Sequence, residues 1–295
     1  MKLFIDGAEG TTGLEIVSRL HEVPGAEQIP LPSALRKDPD ARRAAMERAD
    51  ITVLCLPDAA AKEAVALAEG TRTRLLDAST AHRTAPGWVY GLPELCPGQR
   101  EAIASAGRVA NPGCHATGFI LLARPLAEAG WISPELPVTA FSTTGYSGGG
   151  KRMIAAYEAG GRPEELAYPR IYGLAQQHKH LPEMAVYGTL GQPPVFNPVV
   201  CDYYRGMSVT LFMTAGDPDT AMAIYRERYA AGRVRVVDPP EDGYFSCQPV
   251  CHTDGGLLTA SGRPGRWSAT LALDNLGLGA CGAALENLRI MCGIR

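Results

Sequence analysis

Short apolar runs alternate with longer, half-polar stretches through the first 113 residues. Lys2–Asp6, Glu27–Leu31, Ile51–Leu56, Arg74–Asp77 and Arg108–Ala110 read as short buried strands. Thr11–Glu22, Asp40–Ala49, Ala59–Glu69 and Gln99–Ala106 lie between them and read as helices. This alternation predicts a doubly wound α/β domain over residues 1–113, because parallel strands need crossover connections and the helices then cover both faces of the sheet. The texture changes after Trp131. Val138–Thr143, Val195–Val200, Ser208–Met213, Arg233–Val237, Leu257–Ser261 and Trp267–Leu273 are strand-like, with few helices between them. Asp219–Ala230 and Leu278–Ile290 are the clear helical exceptions. Residues 114–275 therefore read as a second, α+β domain with a largely antiparallel or mixed sheet, and a last helix within 276–295 is expected to complete the first domain.

Composition narrows the function classes. With 46% apolar and 20% charged residues, the 295-residue chain can bury enough surface to fold. Its 28 basic and 31 acidic side chains leave a formal charge of -3, too balanced for a phosphate-backbone binder, so nucleic acid is not an expected partner. No apolar run approaches the roughly 18 residues of a membrane span. Asp6 interrupts the opening run before a signal-peptide core forms, which makes the cytoplasm the expected location. In that setting the eight cysteines read as reduced thiols. Cys247, Cys251 and His252 lack a further ligand pair at zinc-like spacing and read as loop residues, so no metal is expected.

Gly7, Gly10 and Gly13 follow the first strand and open the first helix with G-x-x-G-x-x-G spacing, with Thr11 and Thr12 between the last two glycines. Glycines in that context allow a tight turn and close approach of backbone to a pyrophosphate, whose charge meets the positive end of the helix. After the second strand, where an NAD site normally places a carboxylate for the ribose, the chain instead reads Pro32, Ser33, Ala34, Leu35, Arg36, Lys37. A hydroxyl and two cations, with no carboxylate in that stretch, favour a 2′-phosphate and hence NADP(H). Ser79 follows the fourth strand at the carboxyl edge of the sheet and is a further expected cofactor contact.

Cys114 follows the fifth strand in Asn111-Pro112-Gly113-Cys114 and begins an apolar helical run. A thiol at a helix N-terminus has a lowered pKa, and the N–H groups there can hold an oxyanion. The expected base is His180, with His178 beside it; an extended backbone would face the two rings the same way. The stretch Thr143–Arg152 brings Ser147, Gly148, Lys151 and Arg152 to a glycine-rich turn before a helix, a second place to hold an anion. These four, with Asn111 and Glu183, are the expected substrate contacts.

Together these motifs resemble the shorter form of the N-acetyl-gamma-glutamyl-phosphate reductase family along nearly the whole chain. The matching segments are Gly7–Gly13, Asp77–Arg83, Gly91–Glu94, Asn111–Thr117 (N-P-G-C-x-A-T) and His178–Glu183 (H-x-H-x-P-E). The resemblance implies a semialdehyde-dehydrogenase-like fold, with an NADP-binding Rossmann domain completed by the C-terminal helix and an α+β domain for catalysis and oligomer contacts. It implies Cys114 as nucleophile and a homo-oligomer, a dimer or tetramer. The implied reaction is reduction of an acyl phosphate to a semialdehyde with release of inorganic phosphate, in arginine biosynthesis. The alternatives are a related semialdehyde dehydrogenase acting on another acyl phosphate, and a nonenzymatic NADP-binding regulator.

Overall fold

Six strands of the first unit pair in parallel, joined by crossover connections, and the central ones alternate apolar side chains between two buried faces. The computed structural model describes residues 1–294, in two units: Met1–Pro112 with the segment from Ala280 onward, and Gly113–Gly279. The first runs β1 (Lys2–Asp6), α1 (Thr11–Ser18), β2 (Glu27–Gln28), α2 (Pro39–Arg48), β3 (Ile51–Leu54), α3 (Asp58–Leu67), β4 (Arg74–Asp77), β5 (Val89–Tyr90), α4 (Gln99–Ser105) and β6 (Arg108–Ala110). Sheet order is β2-β1-β3-β4-β6-β5. Leu3, Ile5, Val53 and Leu76 enter one core, and Phe4, Leu54 and Leu75 enter another. The register sets Asp6, Leu54, Asp77 and Ala110 in one row, so the loops after β1, β3, β4 and β6 leave from a common edge. β2 is shorter than the apolar run Glu27–Leu31. Ile29 N–H still reaches Leu3 O at 2.7 Å, but Pro30 and Pro32 have no N–H with which to continue the ladder.

The second unit contains α5 (Cys114–Glu128), β7 (Thr139–Gly145), α6 (Gly150–Glu158), β8 (Arg170–Ile171), α7 (Leu181–Tyr187), β9 (Val195–Cys201), β10 (Met207–Met213), α8 (Pro218–Arg228), β11 (Val234–Val236), β12 (Gly256–Arg263) and β13 (Arg266–Leu273). Its seven strands, in the order β11-β12-β13-β10-β7-β9-β8, form a mixed sheet. The β7–β9 and β11–β12 pairs are parallel and the rest antiparallel. Helix α5 lies against β10 so closely that a Cβ on Gly118 would come within 2.5 Å of Val209 Cγ2. Pro125, inside α5, has no N–H for the carbonyl of Leu121. The Tyr229 hydroxyl, just after α8, donates to that carbonyl at 2.6 Å, and Tyr225 donates to Leu122 O at 2.8 Å.

The last helical stretch is continuous from Leu278 but does not begin as an α-helix. A π-turn over Gly277–Cys281 precedes α9 (Gly282–Met291). Leu285, Leu288 and Ile290 enter the core that holds Leu3 and Ile5. Polar contacts fix α9 within the first unit: Asn287 Nδ2 donates to Gly91 O at 2.8 Å, and Arg74 donates to Met291 O at 2.6 Å.

Candidate active site

The glycine loop after β1 is shaped by close backbone approach. Gly7 takes φ 87°, and a Cβ there would strike the carbonyl of Cys55; one on Gly13 would strike the carbonyl of Gly7. Gly10 N–H bonds Gly7 O at 3.0 Å and Gly10 becomes the N-cap of α1, whose first turn holds Thr11, Thr12 and Gly13. Beside the loop lies a cavity of about 400 Å³, lined by Gly7–Gly10, by Gln28–Leu31 from the last residue of β2 onward, by Arg36 and Lys37, and by Cys55–Pro57. It sits where the strand order reverses between β1 and its two neighbours, the crevice in which open α/β sheets bind ligands. Glycines too crowded for a side chain, a helix N-terminus and a cavity of small-molecule size fit a dinucleotide. One correction concerns charge. No carboxylate stands in 32–37, yet Glu9 reaches over from the glycine loop, accepting from Ser33 Oγ at 2.7 Å and pairing with Arg36.

Cys114 is the first residue of α5, after an N-cap at Gly113 in extended conformation (φ -83°, ψ 148°). A Cβ on Gly279 would approach Cys114 Cβ to 2.7 Å, so glycine is what lets that backbone lie against the thiol residue. Glu183, 1% exposed in the first turn of α7, accepts from Gly113 N–H at 3.2 Å and so joins the starts of the two helices. His178 and His180 do not lie on extended backbone. They sit in a turn that leads into α7, with His180 as its N-cap and its N–H directed to His178 Nδ1 at 3.2 Å. The turn still brings the rings together, with centroids 4.7 Å apart at 87°.

A third histidine completes the cluster. The buried His115 ring lies 5.4 Å from that of His178 and 5.7 Å from that of His180. Its Nδ1 meets Ser142 Oγ at 2.9 Å and its Nε2 meets Tyr172 OH at 2.7 Å. Burial, assisted by His178 and Lys179, pushes the His115 pKa down to about 3, so the ring is neutral. Burial also pushes the Tyr172 phenol up, with Cys114 as the second cause. Neither His115 nor Tyr172 was singled out from the sequence. The one available signal was that His115, one of six histidines, directly follows Cys114.

Other expected contacts are engaged differently. The Ser79 hydroxyl donates to Asp77 Oδ2 at 2.7 Å, where His82 also bonds at 2.6 Å, so it staples the turn after β4. The Asn111 amide spans Ala280 O and Asn287 Nδ2, both at 3.0 Å, and thus clamps the C-terminal segment. Ser147 is buried and accepts from Asn275 Nδ2 at 2.8 Å; Gly148 lies in the same turn, and Lys151 and Arg152 are exposed at the start of α6. The Cys247 and Cys251 thiols flank Gly206, and burial pushes Cys251 up to about 11. Among the described residues no helix is long and apolar enough to cross a membrane.

Comparison with known proteins places this geometry. Residues 2–106 match the semialdehyde dehydrogenase NAD-binding domain, and residues 114–275 match the semialdehyde dehydrogenase dimerisation domain. The fold is similar to that of aspartate semialdehyde dehydrogenase II from Vibrio cholerae, with TM-score 0.74 at 13% identity over 99% of this chain and 98% of that one. It is also similar to an aspartate semialdehyde dehydrogenase with NADP from Candida albicans, with TM-score 0.66 at 13% identity and the same coverage of both chains. N-acetyl-gamma-glutamyl-phosphate reductases of Brucella anthropi and Brucella ovis are each 44% identical over 99% of this chain, and over 98% and 99% of their own lengths. The chain belongs to the N-acetyl-gamma-glutamyl-phosphate reductase family, within the semialdehyde dehydrogenase fold.

Proposed function

We propose that Cys114 carries out the family's reaction, the reduction of N-acetyl-gamma-glutamyl phosphate to N-acetyl-glutamate 5-semialdehyde in arginine biosynthesis, through a thioester. The observation that carries this assignment is the position of Cys114 at the start of a long buried helix, next in sequence to His115, whose ring stands against those of His178 and His180. The Cys114 thiolate attacks the γ-acyl carbon, the bond from carbon to the phosphate oxygen breaks, and inorganic phosphate leaves. The first turn of α5 directs N–H donors toward the carbonyl oxygen as it gains charge. His180 accepts the thiol proton before attack and returns a proton as the aldehyde departs, while His178 orients it. NADPH, when bound, supplies the hydride. Arg36 and Lys37 would hold its 2′-phosphate, and Gly7, Gly10, Thr11, Thr12 and Gly13 its pyrophosphate. Glu183 positions the start of α5, and the turn at Ser147 and Gly148 with Lys151 and Arg152 remains the candidate substrate side. The second unit self-associates through the open face of its sheet, and the enzyme works in the cytoplasm.

The test runs the reaction backward: phosphate-dependent reduction of NADP by N-acetyl-glutamate semialdehyde, with aspartate semialdehyde as competitor. Wild type is expected to turn over the acetylated substrate selectively, and Cys114→Ser to lose that activity while still binding NADP. Retained turnover in Cys114→Ser overturns the nucleophile assignment, and preference for aspartate semialdehyde overturns the substrate.

A further inference from the structure

Two features of the nucleotide cavity are at odds. It is lined by Arg36 and Lys37, the cations suited to a phosphate dianion, yet it is also lined by Glu9. Glu9 lies 24 residues before Ser33 and 27 before Arg36. It accepts from the Ser33 hydroxyl at 2.7 Å and pairs with the Arg36 guanidinium. Ser33 begins a short 3-10 turn that ends at Leu35, and this turn presents the hydroxyl and the guanidinium to the same side. The glycine loop is held by the Gly10-to-Gly7 bond, so Glu9 projects from a fixed backbone. Its carboxylate therefore occupies, from within the chain, two of the three groups that would hold a 2′-phosphate, the Ser33 hydroxyl and Arg36 but not Lys37.

We propose that Glu9 is a specificity-determining residue that competes with the 2′-phosphate for Ser33 and Arg36, and so limits how strongly the chain prefers NADP(H) over NAD(H). The inference rests on the assignment of Arg36 and Lys37 to the 2′-phosphate. Both partners of the ion pair are about half exposed, at 53% and 52%, so the pair exchanges easily with a ligand. A phosphate dianion that binds Arg36 must displace Glu9 or share the cation with a like charge, and either lowers its net affinity. An unphosphorylated ribose makes no such demand, because its hydroxyls can donate to a carboxylate and Arg36 keeps its partner. Glu9 thus opposes one cofactor and leaves the other unhindered.

The experiment is calorimetric titration of the full chain with 2′,5′-ADP and with 5′-AMP, which differ by the 2′-phosphate alone and need no turnover. In Glu9→Gln, 2′,5′-ADP is expected to bind about fivefold tighter and 5′-AMP to change by less than about twofold. The gain should shrink at high salt, since the competing charges are half exposed. Glu9→Ala is expected to move the ratio in the same direction. An unchanged ratio of the two affinities, or weaker 2′,5′-ADP binding in both variants, overturns the proposal; the latter result would make Glu9 a support for Arg36 instead. Arg36→Ala separates the two levels of inference. If wild type binds 2′,5′-ADP no better than 5′-AMP and Arg36→Ala changes neither, the 2′-phosphate assignment itself fails.

Discussion

His115 ties the chemistry of the thiol centre to acid stability. Its folded pKa of about 3 lies below the ordinary value of 6.5, chiefly through burial. Between those values the unfolded chain takes up a proton that the folded chain refuses. The contribution is therefore complete above about pH 6.5 and is lost as pH falls toward 3. By pH 4 the loss reaches roughly 3 kcal/mol at ~1.4 kcal/mol per pH unit. His115→Gln can still bond Ser142 and Tyr172 but cannot titrate, so urea unfolding of this variant should lose that much less stability between pH 7 and pH 4. Equal losses in the variant and wild type would assign the acid sensitivity to groups other than His115. Cys114 was legible in the sequence because N-P-G-C before an apolar run marks a strand-to-helix junction. His115 was not, because its position says only that it lies in a first helical turn. Its partners come from 27 and 57 residues away. Glu9 escaped for the same reason: inspecting 32–37 for carboxylates cannot detect a side chain that arrives from the preceding loop.

At the scale of elements, α5 matters because it carries Cys114 and has a proline in its body. The carbonyl of Leu121 would be left without a donor, and the Tyr229 hydroxyl supplies one. Tyr229→Phe removes the donor and keeps the ring, so a buried acceptor is stranded. The expected cost is about 1–3 kcal/mol in denaturant unfolding. Tyr225→Phe is the internal control, because Leu122 O retains the regular helical partner four residues on and should lose less. Equal effects of the two substitutions would show that Pro125 imposes no special demand on this helix. The elements of the first sheet were readable because its strands are buried on both faces, which leaves continuous apolar runs. The truncation of β2 was written in Pro30 and Pro32, whereas β5, at two residues, is too short to leave a pattern. The order of the second sheet was not readable. Its central pairs, β7 with β9 and β10, join segments separated by whole helices, and no local period encodes such pairing.

At the scale of the whole molecule, the second sheet has one buried face and one exposed face. Ala140, Val209, Leu211, Ala269 and Leu271 point to the face that α5 packs on and are buried. The alternate residues face the other way. Phe212, Thr139 and Val195 are neighbours in one row across β10, β7 and β9, and Thr210, Phe141 and Asn197 are neighbours in the next. Phe212, Val195 and Phe141 are 50%, 41% and 37% exposed, an apolar patch that a sheet normally buries. The match of residues 114–275 to a dimerisation domain and this uncovered face support the same assignment, self-association with sheet against sheet. Introducing carboxylates there should break it, because two copies related by a twofold axis would bring like charges together. The double variant Phe141→Asp, Phe212→Asp is expected to sediment at a smaller mass than wild type, with unchanged far-ultraviolet dichroism because both side chains lie outside the core. An assembly of undiminished mass would move the interface off this sheet. A smaller species that keeps thiol chemistry at Cys114 would show that each copy builds its own nucleophile, as expected where Cys114, His115, His178, His180 and Glu183 all belong to one unit of one chain.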